Sequence, residues 1–142
     1  MNSSDTQATI LVLMDDHEMP GVVLEQVTNE ARSTRSKILL LGIIPIHLYS
    51  PSEAQELEVV RHATFDAVKK AAALLSQREI RVAEILRMGY PDEEITKAAE
   101  EFGVSLIVIP CTMDYLSELK KAARIILDDI KPINVPILYV PV

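Results

Sequence analysis

Residues 91–110 read Pro-Asp-Glu-Glu-Ile-Thr-Lys-Ala-Ala-Glu-Glu-Phe-Gly-Val-Ser-Leu-Ile-Val-Ile-Pro. Pro91 presets φ at a first helical position, and Asp92, Glu93 and Glu94 place negative charge where the helix dipole favours it. Ile95, Ala98, Ala99 and Phe102 recur every three or four residues as one apolar face, and Gly103 stops the helix. Val104 to Ile109 is then a short, wholly apolar strand that Pro110 is expected to close. A strand apolar on both sides needs cover on both faces. That is the environment of a parallel sheet between helices, not of a sheet with one wet face.

The same alternation continues toward the N-terminus. Ala8 to Met14 is a second continuous apolar run, bounded by Asp15 and Asp16. Pro20 and Gly21 precede Val23, Leu24, Val27 and Ala31, a short amphipathic helix that Ser33 to Ser36 ends. Lys37 to Ile46 is another apolar strand. Ser50, Pro51 and Glu53 form a capping box that starts a long helix. Leu57, Val60, Thr64, Ala67, Ala71 and Leu74 carry it to Gln77, about 28 residues and roughly 40 Å at 1.5 Å per residue. Ile80 to Leu86 alternates apolar and polar residues, as a strand at a sheet edge does.

Toward the C-terminus, Thr112 or Asp114 is the candidate cap of a fourth helix built on Leu116, Leu119, Ala123, Ile126 and Ile130, ended by Lys131 and Pro132. Ile137 to Val140 is the last strand. Five strands alternating with four helices predict a doubly wound α/β domain with a five-stranded parallel sheet and right-handed crossovers. Residues 1–7 are a polar leader, and residues 8–142 form a single domain. A ligand crevice is expected outside the carboxyl ends of the strands, where the winding reverses.

Composition bounds the function. The chain has 142 residues, 49% of them hydrophobic, and 21 acidic against 14 basic residues. That length buries roughly two-thirds of the unfolded surface without disulfides or metal. The acidic balance argues against nucleic acid and anionic membrane as partners. The apolar runs are strand-sized and the leader carries no basic residue, so neither membrane insertion nor a signal peptide is expected. Cys111 is the only cysteine, which excludes an intrachain disulfide and fits a cytoplasmic location. With no Trp and two Phe, the core must be aliphatic.

Several stretches together resemble the universal stress protein family, from Ile10 to Val140. Ile10-Leu11-Val12-Leu13-Met14-Asp15 resembles its first strand and terminal acidic residue, and Arg87-Met88-Gly89-Tyr90-Pro91-Asp92-Glu93 its Gly-Asp-Pro helix start. Ala98-Ala99-Glu100-Glu101-Phe102-Gly103-Val104-Ser105-Leu106-Ile107-Val108-Ile109 is similar to its most recognisable stretch, and Asn134-Val135-Pro136-Ile137-Leu138-Tyr139-Val140 to its closing strand. The resemblance implies an adenine nucleotide alpha hydrolase-like fold and strand order 3-2-1-4-5. It also implies a homodimer built on the last strand, through Ile137, Leu138, Tyr139 and Val140.

Many members of that family bind ATP through Gly-x2-Gly-x9-Gly-Ser/Thr after the fourth strand, where backbone N–H groups wrap the phosphates. Aligned without gaps, the glycine positions fall here on Pro110, Met113 and Ala123, and the hydroxyl position on Arg124. Pro110 has no amide to give, and side chains at Met113 and Ala123 restrict the positive-φ turns glycine allows. The chain thus resembles the branch that lacks the ATP-binding motif. The resemblance leaves Asp15, Ile43, Gly89, Pro110, Cys111 and Arg124 as the candidate ligand cleft.

Other residues carry alternative chemistry. Asp15 and Asp16 resemble the acidic pair of phosphoacceptor receiver domains, but Leu86-Arg87-Met88 supplies no acceptor carboxylate. His17, His47 and Asp15 are candidate metal ligands by type, although loop histidines are ordinarily solvated and no resident metal is expected. His62 belongs to the surface of the long helix. Cys111, before a helix start, has either thiolate character or the role of a small buried hydrophobe. Lys120, Lys121 and Arg124 form a basic strip with Asp128 four residues beyond Arg124, either a solvated face or, at Arg124, an anion anchor.

No pattern supports catalysis. The expectation is a dimeric, non-catalytic protein of universal stress type that acts in stress response or regulation by protein interaction or weak ligand sensing, without a cofactor. The alternative is a nucleotide switch binding ATP or AMP, ATP with Mg, where Arg124 replaces glycine amides and a slow ATPase is the most activity expected.

Overall fold

The computed structural model describes residues 7–111 and 135–142. Five strands form one parallel sheet in the order β3-β2-β1-β4-β5. They are β1 (Thr9–Met14), β2 (Lys37–Ile44), β3 (Val82–Met88), β4 (Leu106–Cys111) and β5 (Ile137–Pro141). Among the described residues the helices are α1 (Gly21–Thr34), α2 (Ala54–Gln77) and α3 (Pro91–Phe102). The expected fourth helix, with Thr112, Asp114, Lys120, Lys121, Arg124 and Asp128, lies outside the described residues, as do Met113 and Ala123.

Alternation along the central strands divides the core in two. Ile10, Val12, Ile38, Leu40 and Val108 pack on α1 and α2 through Val23, Val27, Ala67, Ala71 and Leu75. Leu11, Leu39, Leu41, Ile43, Ile107 and Ile109 face the other way, against Ile95, Ala98 and Ala99 of α3. Both sides of β1, β2 and β4 are therefore apolar because both sides are covered, which is the doubly wound arrangement the sequence predicts. Gly42 of β2 lets α2 come close. A Cβ there would stand 2.5 Å from Leu86 Cδ2, 2.9 Å from Val68 Cγ2 and 3.1 Å from Thr64 Cγ2.

Element ends depart from expectation for identifiable reasons. β3 starts at Val82 rather than Ile80, because Ile80 closes α2: Glu79 takes a positive φ of 64° and Ile80 N–H bonds Leu75 O at 3.2 Å. Ile80 is then buried beneath the helix, in the manner of an αL cap with its apolar contact. β2 ends at Ile44, and Ile46–Leu48 form a 3-10 turn instead. The long helix opens with a 3-10 turn at Pro51–Glu53 before α2 proper, which has 24 residues.

Pro110 does not close β4. It stays in the strand, opposite Val140 of β5. Ile107 gives its N–H to Pro136 O at 3.0 Å across to β5, so alternation turns the backbone nitrogens of residues 108 and 110 toward β1. Pairing of β4 with β1 ends at Val108, so the nitrogen of Pro110 faces a side with no ladder left and its missing N–H costs nothing.

At the start of the long helix, Glu53 Oε1 accepts the Ser50 N–H at 3.1 Å and the Ser50 hydroxyl at 2.9 Å. These bonds, the backbone one first, hold the Glu53 carboxyl below the ordinary glutamate range. A carboxyl lowered on folding contributes above its unfolded pKa, and that contribution fades as pH falls through the folded value. In an NMR titration the Ser50 amide should report Glu53 protonating below the ordinary glutamate range, with the response lost in Glu53→Gln. Separately, Gly42→Ala should lower stability by about 1–3 kcal/mol, read as a lower urea midpoint at unchanged slope, since the β-branched Val68 cannot rotate clear.

Candidate ligand cleft

The strand ends leave a cleft of about 870 Å³ at the carboxyl side of the sheet, where the winding reverses between β1 and β4. Its walls are largely apolar, with Leu13, Met14, Ile43, Val60 and Pro91 among them. Of the candidate residues, Asp15, Ile43 and Pro110 lie on this wall. Gly89 does not: at φ +154° it packs on Glu94, where an added Cβ would stand 3.2 Å from Glu94 Cγ. Pro91 occupies the wall at that turn. The backbone of Cys111 extends β4 opposite Pro141. The Cys111 side chain and Arg124 are outside the described residues.

The polar groups of the rim come from the chain leaving β1. Asp15 Oδ1 accepts the His17 backbone N–H at 2.8 Å, a local turn that fixes the carboxylate over the strand end. His17 Nδ1 lies 3.2 Å from Asp15 Oδ1 and 3.3 Å from Asp16 Oδ1. These three side chains present ligand-type atoms within 4.8 Å of one another, and all three residues are exposed. Glu18, next in line, is bound by Lys70 of α2 at 2.6 Å, which ties the β1–α1 connection to that helix.

The histidines separate. His47 lines the cleft but stacks on Tyr90, with ring centroids 4.2 Å apart. His62 is exposed on α2, 3.2 Å from Glu58. Glu18, Tyr49 and Val60 line the cleft without having been singled out from sequence. No spacing connects His47 to Tyr90. Only the neighbouring positions of β2 and β3, whose ends carry them, bring the two rings together.

Fold and cleft define a doubly wound α/β domain with a crevice at its topological switch point. The family profile described as Universal stress protein family matches residues 8–124, and the chain belongs to that family. A comparison with curated protein sequences returns no match. Among solved structures, a universal stress family protein from Burkholderia pseudomallei is 20% identical with a TM-score of 0.67, over 95% of this chain and 96% of that one. UspA of Lactobacillus plantarum is 14% identical with a TM-score of 0.70, over 94% and 97%. The universal stress protein of Archaeoglobus fulgidus in complex with dAMP is 14% identical with a TM-score of 0.62, over 93% and 96%.

Because Asp15 is exposed and its bonds are local, Asp15→Asn should move the thermal midpoint by no more than about 2 °C. Differential scanning calorimetry checks this, and the variant then serves as a probe of the cleft that leaves the fold alone.

Proposed function

We propose that this chain acts as a non-catalytic homodimer joined through β5, serving stress response or regulation in the cytoplasm by protein interaction or weak ligand sensing. The contrast between the two sheet edges carries the reading. At β3, Lys69 bridges Glu84 at 3.2 Å and Arg87 pairs with Glu101 at 2.6 Å, charges of the kind that discourage edge-to-edge pairing. At β5, Ile137, Leu138, Tyr139 and Val140 bring no charge to the opposite edge. A twofold axis beside β5 pairs the same strand with itself, burying apolar side chains and edge hydrogen-bonding groups together.

The cleft favours weak over tight binding of phosphates. Pro110 stands on its wall where a backbone amide would otherwise be available. The glycine positions of nucleotide-binding relatives carry Pro110, Met113 and Ala123 in this sequence. The rim groups Asp15, Asp16 and His17 satisfy one another in solvent rather than forming a base and nucleophile pair.

A second reading, a nucleotide-binding switch holding ATP or AMP with Arg124 at the phosphates, is favoured by two observations. The cleft keeps Asp15 and Ile43 on its wall, and the related Archaeoglobus fulgidus protein was solved with dAMP.

Light scattering should give about twice 15.8 kDa, and Leu138→Lys should shift the folded protein, checked by circular dichroism, toward the single-chain mass. A 15.8 kDa species at every concentration would overturn the dimer. Titration with ATP, with and without magnesium, should show no saturable binding at micromolar concentration. Such binding, lost in Asp15→Ala, would establish the second reading instead.

A further inference from the structure

The connection from β2 to α2 borders the cleft through Pro45, His47, Leu48 and Tyr49, and it includes the 3-10 turn Ile46–Leu48, none of whose residues is buried. Leu48 N–H bonds Pro45 O at 3.1 Å and Tyr49 N–H bonds Ile46 O at 3.2 Å. His47 and Leu48 both line the cleft, and Leu48 is 66% exposed. The two ends of this segment are anchored. Ile44 O accepts the Gly89 N–H at 3.1 Å, and the Ser50 N–H is held by Glu53 at 3.1 Å.

Between those anchors, the His47 ring lies on Tyr90 with an interplanar angle of 25°. The two partners are unequally fixed. Tyr90 sits at the start of α3, its carbonyl accepting the Glu94 N–H at 3.0 Å, beside Gly89 packed on Glu94. The turn carrying His47 has no buried side chain to hold it down. When the stack opens, the turn is therefore the part that moves.

We propose that residues 45–49 form a hinged strap over the cleft, latched in its closed position by the stacking of His47 on Tyr90. The strap controls access to the wall formed by Ile43, and it stands on this geometry whether the dimer, the sensing role or the nucleotide reading is correct. The latch is worth a single aromatic contact, so the strap opens often and a ligand that breaks the stack shifts it at little cost.

A thiol introduced by Ile43→Cys, at a position 4% exposed on the cleft wall, reports the opening without any ligand. Alkylation by iodoacetamide in the full chain, resolved by peptide mass so that Cys111 is scored separately, is compared in four backgrounds: unchanged, Tyr90→Phe, Tyr90→Ala and His47→Ala. Tyr90→Ala and His47→Ala should each raise the rate at position 43 about 3- to 10-fold, the loss expected of one aromatic stack. Tyr90→Phe, which keeps a ring, should not. The Leu48 and Tyr49 amides should exchange faster by a similar factor in the two alanine variants.

Equal rates in all four backgrounds would overturn the latch. So would a rise in Tyr90→Phe matching that in Tyr90→Ala, or a rise in Tyr90→Ala absent from His47→Ala. Should Tyr90→Ala fail to fold, His47→Ala against Tyr90→Phe decides. The rate at position 43 involves neither nucleotide nor subunit association, so failure of the strap is distinct from failure of the functional reading.

Discussion

Burial of the central strands on both faces is the constraint on which the rest of the molecule depends. β1, β2 and β4 send alternate residues into two separate clusters, and Leu11, Val12, Leu40, Leu41, Ile107 and Val108 have essentially no exposed surface. A sheet so enclosed cannot admit a ligand through its faces, and its strands cannot end wherever the apolar pattern ends. Chemistry is pushed to the carboxyl ends, where the chain must leave the sheet through Asp15 to Glu18, Pro45 to Tyr49 and Gly89 to Pro91. The cleft is the space left between those exits. Its apolar walls are the continuation of the same strands, Leu13 and Met14 from β1 and Ile43 from β2.

What the sequence made legible follows from that constraint. Uninterrupted apolar runs marked the strands because two-sided burial leaves no room for polar alternation, and the mixed pattern after Ile80 marked an edge strand because β3 has one neighbour. The capping box at Ser50 and Glu53 and the stop at Gly103 are local chemistry, readable without tertiary knowledge, and both stand in the fold. Boundaries failed where tertiary context decides. Pro110 looked like a terminator, yet a parallel strand tolerates proline where its nitrogen faces no partner. Ile80 looked like the first residue of a strand, yet it serves as the apolar contact of a helix cap.

The cleft was legible only in part for a similar reason. Asp15 and Ile43 follow from strand ends and from family resemblance, and both lie on the wall. Gly89 has a different task, a close approach to Glu94 that sets the start of α3. The stack of His47 on Tyr90 joins residues far apart in sequence through the adjacency of β2 and β3, and no periodicity encodes it. Family membership agrees with the fold, and the strand order places the crevice between the ends of β1 and β4. On the cleft wall itself, Pro110 has no backbone amide to offer a ligand. The edges complete the account: ion pairs flank β3, while β5 ends the sheet with an uncharged apolar strand.

Pairing at that strand is most directly read from its own amides. Ile107 N–H bonds Pro136 O, so alternation turns the Leu138 N–H toward β4 and the Ile137 N–H outward. Hydrogen exchange followed by NMR should find Leu138 protected at all concentrations, and Ile137 protected when the protein is concentrated but exchanging faster on dilution. An Ile137 amide that exchanges freely at every concentration beside a protected Leu138 would contradict the account.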